Sequence, residues 1–131
     1  MDDVNGFKGY YMHDKLPKLH KNQCIIINLD DSAGSGTHWT AAMRGDDFTY
    51  YYDSFGLPPS DDIVKKLDII AYSDNQHQQI ISSSCGLFCL YVLYLFMNDG
   101  IDFEDIVASG NYLIPFDSMA NEVILREFLE S

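Results

Sequence analysis

Basic residues are scarce in this chain. Only 8 Lys and Arg stand against 20 Asp and Glu, giving a net charge of −12 and a pI of about 4.3. Proteins that grip bare nucleic acid usually carry a basic face, so nucleic acid is not an expected partner. The acidity suits a soluble, self-repelling surface. Cysteines number 3, an odd count, and the opening MDDVNGFKGYYMHD has early acids and no apolar stretch of the kind a secretory signal needs. Both points argue against a disulfide framework and for reduced thiols in an intracellular compartment. No two Cys or His pairs stand at zinc-knuckle spacing, so neither a metal nor another cofactor is expected. The most apolar run, Leu87 to Met97, is too short to cross a bilayer, so no membrane role is expected. Internal repeats, low-complexity stretches and long linkers are absent too. What remains is 131 residues, 47% apolar and 14% aromatic, enough for one domain spanning 1–131 around one core.

Residues 1–23 read as a mostly irregular lead-in broken at Pro17. Cys24 to Leu29 (CIIINL) is a short unbroken apolar run, the pattern of a strand buried on both faces. Asp30 to Gly36 is a loop by composition. Ser60 reads as an N-cap before Asp61 and Asp62, starting a short helix over 61–67. Asp68 to Tyr72 is a strand, and Ser73 to Ser84 a polar loop. Cys85 to Met97 is apolar all round and poor in β-branched residues, which predicts a fully buried helix. Two further helices are expected at Phe103–Ala108 and Asp117–Leu129, the second capped by Asp117 or Ser118.

Between these lie two strands, His38 to Arg44 and Phe48 to Asp53, joined at Gly45-Asp46. A glycine at the first central position suits a type II′ turn. That turn sets Arg44 opposite Asp47, then Met43 opposite Phe48, Ala41 opposite Tyr50 and Trp39 opposite Tyr52 on an apolar core face. The other face pairs Ala42 with Thr49, Thr40 with Tyr51 and finally His38 with Asp53. Directly opposed residues have Cβ atoms roughly 5 Å apart, within hydrogen-bonding reach for an imidazole and a carboxylate.

Cys85 begins the buried helix. Unsatisfied backbone N–H groups and the positive end of the helix dipole favour a thiolate there, and could also hold an oxyanion. Each of Cys85, His38 and Asp53 has a bland reading alone: a buried thiol, a structural histidine, a turn former. Together they make a nucleophile, a base and an orienting group. His13, His20 and His77 have no comparable partner in this reading. Gln78 and Gln79 carry amides that could donate to an oxyanion, though composition alone makes NQHQQ a polar loop. Cys89 and Cys24 read as core residues. The pairs Asp30-Asp31, Asp46-Asp47 and Asp61-Asp62 lack EF-hand spacing and read as loop and cap residues.

The segments GTHW (36–39), YYDSFGLPP (51–59), QQ (78–79) and SCGLFCLYVL (84–93) resemble the adenain-like cysteine proteases. These are the adenovirus maturation proteases and the related proteases of virophages and polinton-type elements. SUMO-specific proteases share the fold and the order His, Asp, Gln, Cys. The lead-in YMHDKLPK (11–18) and NLDDSAGSGTHW (28–39) are similar to the virophage and polinton forms, so the resemblance covers roughly residues 10–95.

The resemblance implies an α+β, papain-like fold, with a mixed, mainly antiparallel sheet and the nucleophile at the start of a central helix. It implies His38 as general base and acid, Asp53 as its orienter where adenovirus enzymes usually have Glu, and Cys85 as the thiol of the acyl-enzyme. The oxyanion donor would be Gln78 by adenovirus spacing or Gln79 by SUMO-protease spacing. Gln78 is preferred, because Ser82 then falls where viral enzymes often have Ser. Trp39 would wall the site. The implied substrates are capsid or other virion precursor proteins, often cut after Gly-x-Gly, inside the host cell (virus factory, cytoplasm or nucleus) or in the particle. An activating peptide is a family partner, but Cys24 and Cys89 give no clear equivalent of the cysteine that tethers it. The DNA cofactor of the basic adenovirus enzymes does not carry over to this shorter, acidic chain. Two other readings remain: a protease of ubiquitin-like or SUMO conjugates, and a capsid-binding relative without activity.

Overall fold

The structure, a computed structural model, describes residues 4–29, 38–77, 85–115 and 117–130. Its strands are β1 (Phe7–Met12), β2 (Gln23–Asn28), β3 (Trp39–Arg44), β4 (Thr49–Tyr52) and β5 (Ile69–Tyr72). The helices are α1 (Asp61–Leu67), α2 (Cys85–Met97), α3 (Phe103–Ala108) and α4 (Ser118–Glu130). The strands lie in chain order in one sheet. β2–β3 and β3–β4 pair antiparallel, whereas β1–β2 and β4–β5 pair parallel. The fold is α+β with a mixed sheet, as expected. Its pairings divide evenly rather than being mainly antiparallel.

Both faces of β2 are covered, as the unbroken CIII run requires. Cys24 and Ile26 join Ala41, Met43 and Tyr52 on the face against α2 and α3. Ile25 and Ile27 join Ala42 and Tyr51 on the other face, against Leu19 and against Ile63 and Leu67 of α1. At about 1.5–3 kcal/mol for each large apolar side chain fully buried, this two-sided strand is a main source of stability. α1 is capped as predicted, with the Ser60 side chain accepting from the Ile63 N–H at 3.4 Å. At α4 the cap is Asp117, whose carboxylate accepts from the Ala120 N–H at 3.1 Å.

α2 buries Cys85, Phe88, Cys89, Tyr91, Val92, Leu93 and Leu95. Its surround of sheet, α3 and α4 explains why no polar face interrupts it, but the helix is not fully buried as expected: Leu87, which those elements do not cover, is 40% exposed. α2 runs alongside β3 in the same sense. A Cβ placed on Gly86 would meet the Trp39 ring at 3.9 Å, and one on Gly45 would meet Phe96 at 3.5 Å. The start of β3 and the start of α2 therefore share one end of the molecule.

Two further readings are corrected. The lead-in, read as mostly irregular, also holds a strand, since Phe7–Met12 forms β1 on the edge of the sheet. Its ladder is broken between Phe7 and Tyr10, around Gly9 at a φ of 118°, so the sequence lacks a clean alternation there. The β3–β4 turn is also displaced. Gly45 donates to the Phe48 carbonyl at 3.0 Å, and Arg44 pairs with Thr49, Met43 with Tyr50 and Ala41 with Tyr52. The turn centres on Asp46 and Asp47, residues at home in turns, and not on Gly45-Asp46. The slip is two residues. Because side chains alternate with a period of two, each residue keeps its expected face and changes only its neighbour. Phe48, expected in the core, is left 52% exposed at the turn.

Candidate active site

β3 begins just after His38, β4 ends just before Asp53, and α2 begins at Cys85. The three side chains meet where these ends converge. His38 Nε2 lies 2.8 Å from Asp53 Oδ1. The carboxylate can only accept, so Nε2 carries the proton, and the lone pair of a neutral ring sits on Nδ1. Nδ1 is buried without a hydrogen-bond partner among the described residues. The imidazole nevertheless lies close enough to the Cys85 thiol for each to shift the other's pKa. Hydrogen bonds between catalytic groups often tighten only when substrate arrives.

Asp53 is 1% exposed. Its Oδ1 also accepts from the Phe55 N–H at 2.8 Å, closing a tight turn in which the Gly56 N–H donates to the Asp53 carbonyl at 2.8 Å. Gly56 has a φ of 77°, and a Cβ there would come within 2.9 Å of the Asn75 carbonyl carbon. Phe55 stacks on His38 with ring centroids 4.2 Å apart.

The Cys85 Sγ accepts from the Trp39 backbone N–H at 3.4 Å. Burial pushes the Cys85 pKa up. That is outweighed by the neighbouring His38 imidazole and its charge, and by the backbone N–H groups of Trp39 and Gly86, so the thiol titrates below its ordinary range. For His38 burial opposes protonation. The hydrogen bond to Asp53, the nearby Cys85 thiol and the charges of both overcome this and raise its pKa to about 9. The two shifts favour a thiolate beside an imidazolium, which pairs a nucleophile with a proton donor for a leaving group.

Trp39 contributes through its backbone. Its carbonyl also accepts from the Cys89 thiol at 3.5 Å, and its ring lies edge-on to Tyr10, centroids 5.7 Å apart. Cys89 and Cys24 are fully buried. Burial raises the Cys24 thiol to about 12 and the Cys89 thiol well above its ordinary value. Gln78, Gln79, Ser82 and the Asp30–Gly36 loop lie outside the described residues. Among the described residues, no three His, Cys, Asp or Glu side chains converge as metal ligands. None of the helices there is long and apolar enough to cross a membrane.

His77 meets neither a thiol nor a carboxylate like the partners of His38, but it has partners of another kind. It is fully buried, with Nε2 2.8 Å from the Val107 carbonyl and Nδ1 3.0 Å from the Tyr52 hydroxyl. Its only signal in the sequence was a histidine among glutamines. Both partners are distant along the chain, so spacing alone could not find them.

No protein-family model matches the chain, and no curated protein matches it. Two solved structures of the ASFV pS273R protease are similar to it. The selenomethionine form aligns with a TM-score of 0.57 and 18% identity over 80% of this chain and 42% of that one. The second aligns with a TM-score of 0.51 and 19% identity over 78% and 41%. At such identities the likeness is one of fold. The chain spans less than half the length of that protease.

Proposed function

We propose that this chain is a viral-type cysteine endopeptidase of the adenain-like branch. The observation that carries the reading is the placement of His38, with Nε2 on Asp53 and the ring against Cys85 at the start of α2. The fold shared with a viral protease supports it.

In this reading the Cys85 thiolate attacks the peptide carbonyl carbon. A C–S bond forms and the carbonyl oxygen becomes an oxyanion. N–H groups at the start of α2 and the side-chain amide of Gln78 or Gln79 donate to that oxygen. The His38 imidazolium passes its proton to the departing amine as the C–N bond breaks, leaving a thioester on Cys85. Neutral His38 then takes a proton from water, whose hydroxide adds to the thioester. Collapse expels the thiolate and regenerates the imidazolium pair. Asp53 keeps the ring oriented and offsets its positive charge. Trp39 walls the thiol. The substrates would be capsid or other virion precursor proteins, cut inside the host cell or the particle, with an activating peptide as a further partner.

Co-expression with a capsid precursor tests this. Cleavage by wild type and by Cys89→Ala, but not by Cys85→Ala, is the expected result. An intact precursor beside cleaved ubiquitin-like fusions would move the substrate class to conjugates. Failure of a thiol-directed probe to label Cys85 in the folded protein would favour the inactive relative.

A further inference from the structure

Asp53 is held by its side chain through one oxygen alone. Oδ1 meets both His38 and the Phe55 N–H, while Oδ2 is buried with no hydrogen-bond partner among the described residues. A carboxylate so held does not fix its own direction; its backbone must. One residue reaches both chain neighbours of Asp53, Ser54 through the backbone and Tyr52 through the end of its side chain. The His77 N–H donates to the Ser54 carbonyl at 2.8 Å, just after Asp53. Its Nδ1 meets the hydroxyl of Tyr52, just before Asp53, at 3.0 Å. The Val107 carbonyl can only accept, so Nε2 carries a proton; burial keeps the ring neutral, so Nδ1 accepts from the Tyr52 hydroxyl.

His77 is in turn tied to parts of the fold outside the site. Its ring holds Val107 of α3, and its carbonyl accepts from Asn121 of α4 at 3.2 Å. Asn121 is itself fully buried. Its amide nitrogen also donates to the Ile114 carbonyl at 2.8 Å, and its oxygen accepts from the Ile114 N–H at 2.6 Å. A buried polar set satisfied at this many points is rigid.

We propose that neutral His77 is a positioning residue. It clamps the Tyr52–Asp53–Ser54 segment to α3 and α4, and so sets the direction in which Asp53 holds His38. The inference rests on the site assignment of the proposed function.

The test follows His38 directly, by the imidazole nitrogen–proton NMR spectrum of the full chain across pH. The variants are His77→Phe, His77→Gln and Tyr52→Phe, with circular dichroism reporting folding. In His77→Phe and Tyr52→Phe, His38 is expected to titrate about one pH unit lower than in wild type, a tenfold change in its protonation equilibrium. Peptide hydrolysis should fall about 10- to 100-fold in kcat with KM little changed, as for a misaligned catalytic group. His77→Gln keeps a donor and an acceptor and should recover part of both. If His77→Phe does not fold, Tyr52→Phe decides. Folded variants in which His38 titrates as in wild type overturn the clamp. Because the titration needs no turnover, a wild type that cleaves nothing would sink the proposed protease activity and leave this result readable.

Discussion

His38 and Phe55 lie face to face, with ring centroids 4.2 Å apart and planes within 3°. The register explains it. Counting on from the Ala41–Tyr52 pair brings His38 level with Phe55, two residues past Asp53. Phe55 thus does two things at once: its N–H holds the Asp53 carboxylate and its ring holds the imidazole plane. Replacing Phe55 by Ala removes only the second. A stacked pair is worth about 0.5–1.5 kcal/mol. Phe55→Ala should therefore lower kcat/KM for a peptide substrate by up to about tenfold. Phe55→Tyr should stay near wild type. Loss of activity well beyond that, with the fold intact, would mean Phe55 also contacts substrate.

The three thiols should separate by reactivity. Cys85 titrates below the ordinary thiol range, whereas Cys24 is raised to about 12 and Cys89 also lies well above its ordinary value. Brief iodoacetamide treatment of the native protein at pH 6.5, read by peptide mass spectrometry, should modify Cys85 alone. Denaturation should make all three reactive. Prompt modification of Cys89 in the folded state would contradict its burial beneath Trp39.

Two histidines should give stability opposite pH dependences. Burial lowers the His77 pKa from 6.5 to about 4, despite the acceptor at Val107. Its neutral form is the folded one, so its contribution is complete above about pH 6.5 and is lost as pH falls toward 4, some 3 kcal/mol in all. His38 is raised to about 9, and its contribution is complete below pH 6.5 and is lost as pH rises toward 9. Cys85 opposes the alkaline loss, because its lowered pKa adds stability as pH rises toward the ordinary thiol range. Urea unfolding should therefore show stability falling from pH 6.5 to pH 5, and His77→Gln should flatten that acid side. An acid side unchanged in His77→Gln would place that loss on other groups.

Gly56 is expected to tolerate no side chain. Its φ of 77° and the 2.9 Å approach of the Asn75 carbonyl carbon make even a methyl group strained. Gly56→Ala should lower stability by about 1–3 kcal/mol and move the Asp53 turn, cutting activity as well. A melting curve and peptide hydrolysis on the same sample would check both. Gly110, at a φ of 81° with nothing within 4 Å, is a control whose alanine variant should retain activity.

Much was legible before any coordinates, for local reasons. α1 falls where its Ser60 cap placed it and α2 where its apolar run did, and α3 also takes its expected bounds, because such signals lie within a few turns of chain. The CIII run announced a strand covered on both faces. The register of β3 and β4 was misread by two residues, yet His38 still reaches Asp53. The turn occupied by Asp53 to Gly56 bends the carboxylate back toward a ring that strand pairing alone would set beside Phe55.

The sequence by itself determined most of the elements, the faces that most of their residues take and the three residues that stand at element ends, since periodicity and capping are local. Only the tertiary structure decided which ends converge and how the site is held. The Trp39 N–H on Cys85, the Phe55 stack on His38 and the His77 clamp behind Asp53 join residues from different strands and helices. Such contacts depend on the pairing register and on how α2, α3 and α4 pack against the sheet. No spacing along a single chain encodes those directly.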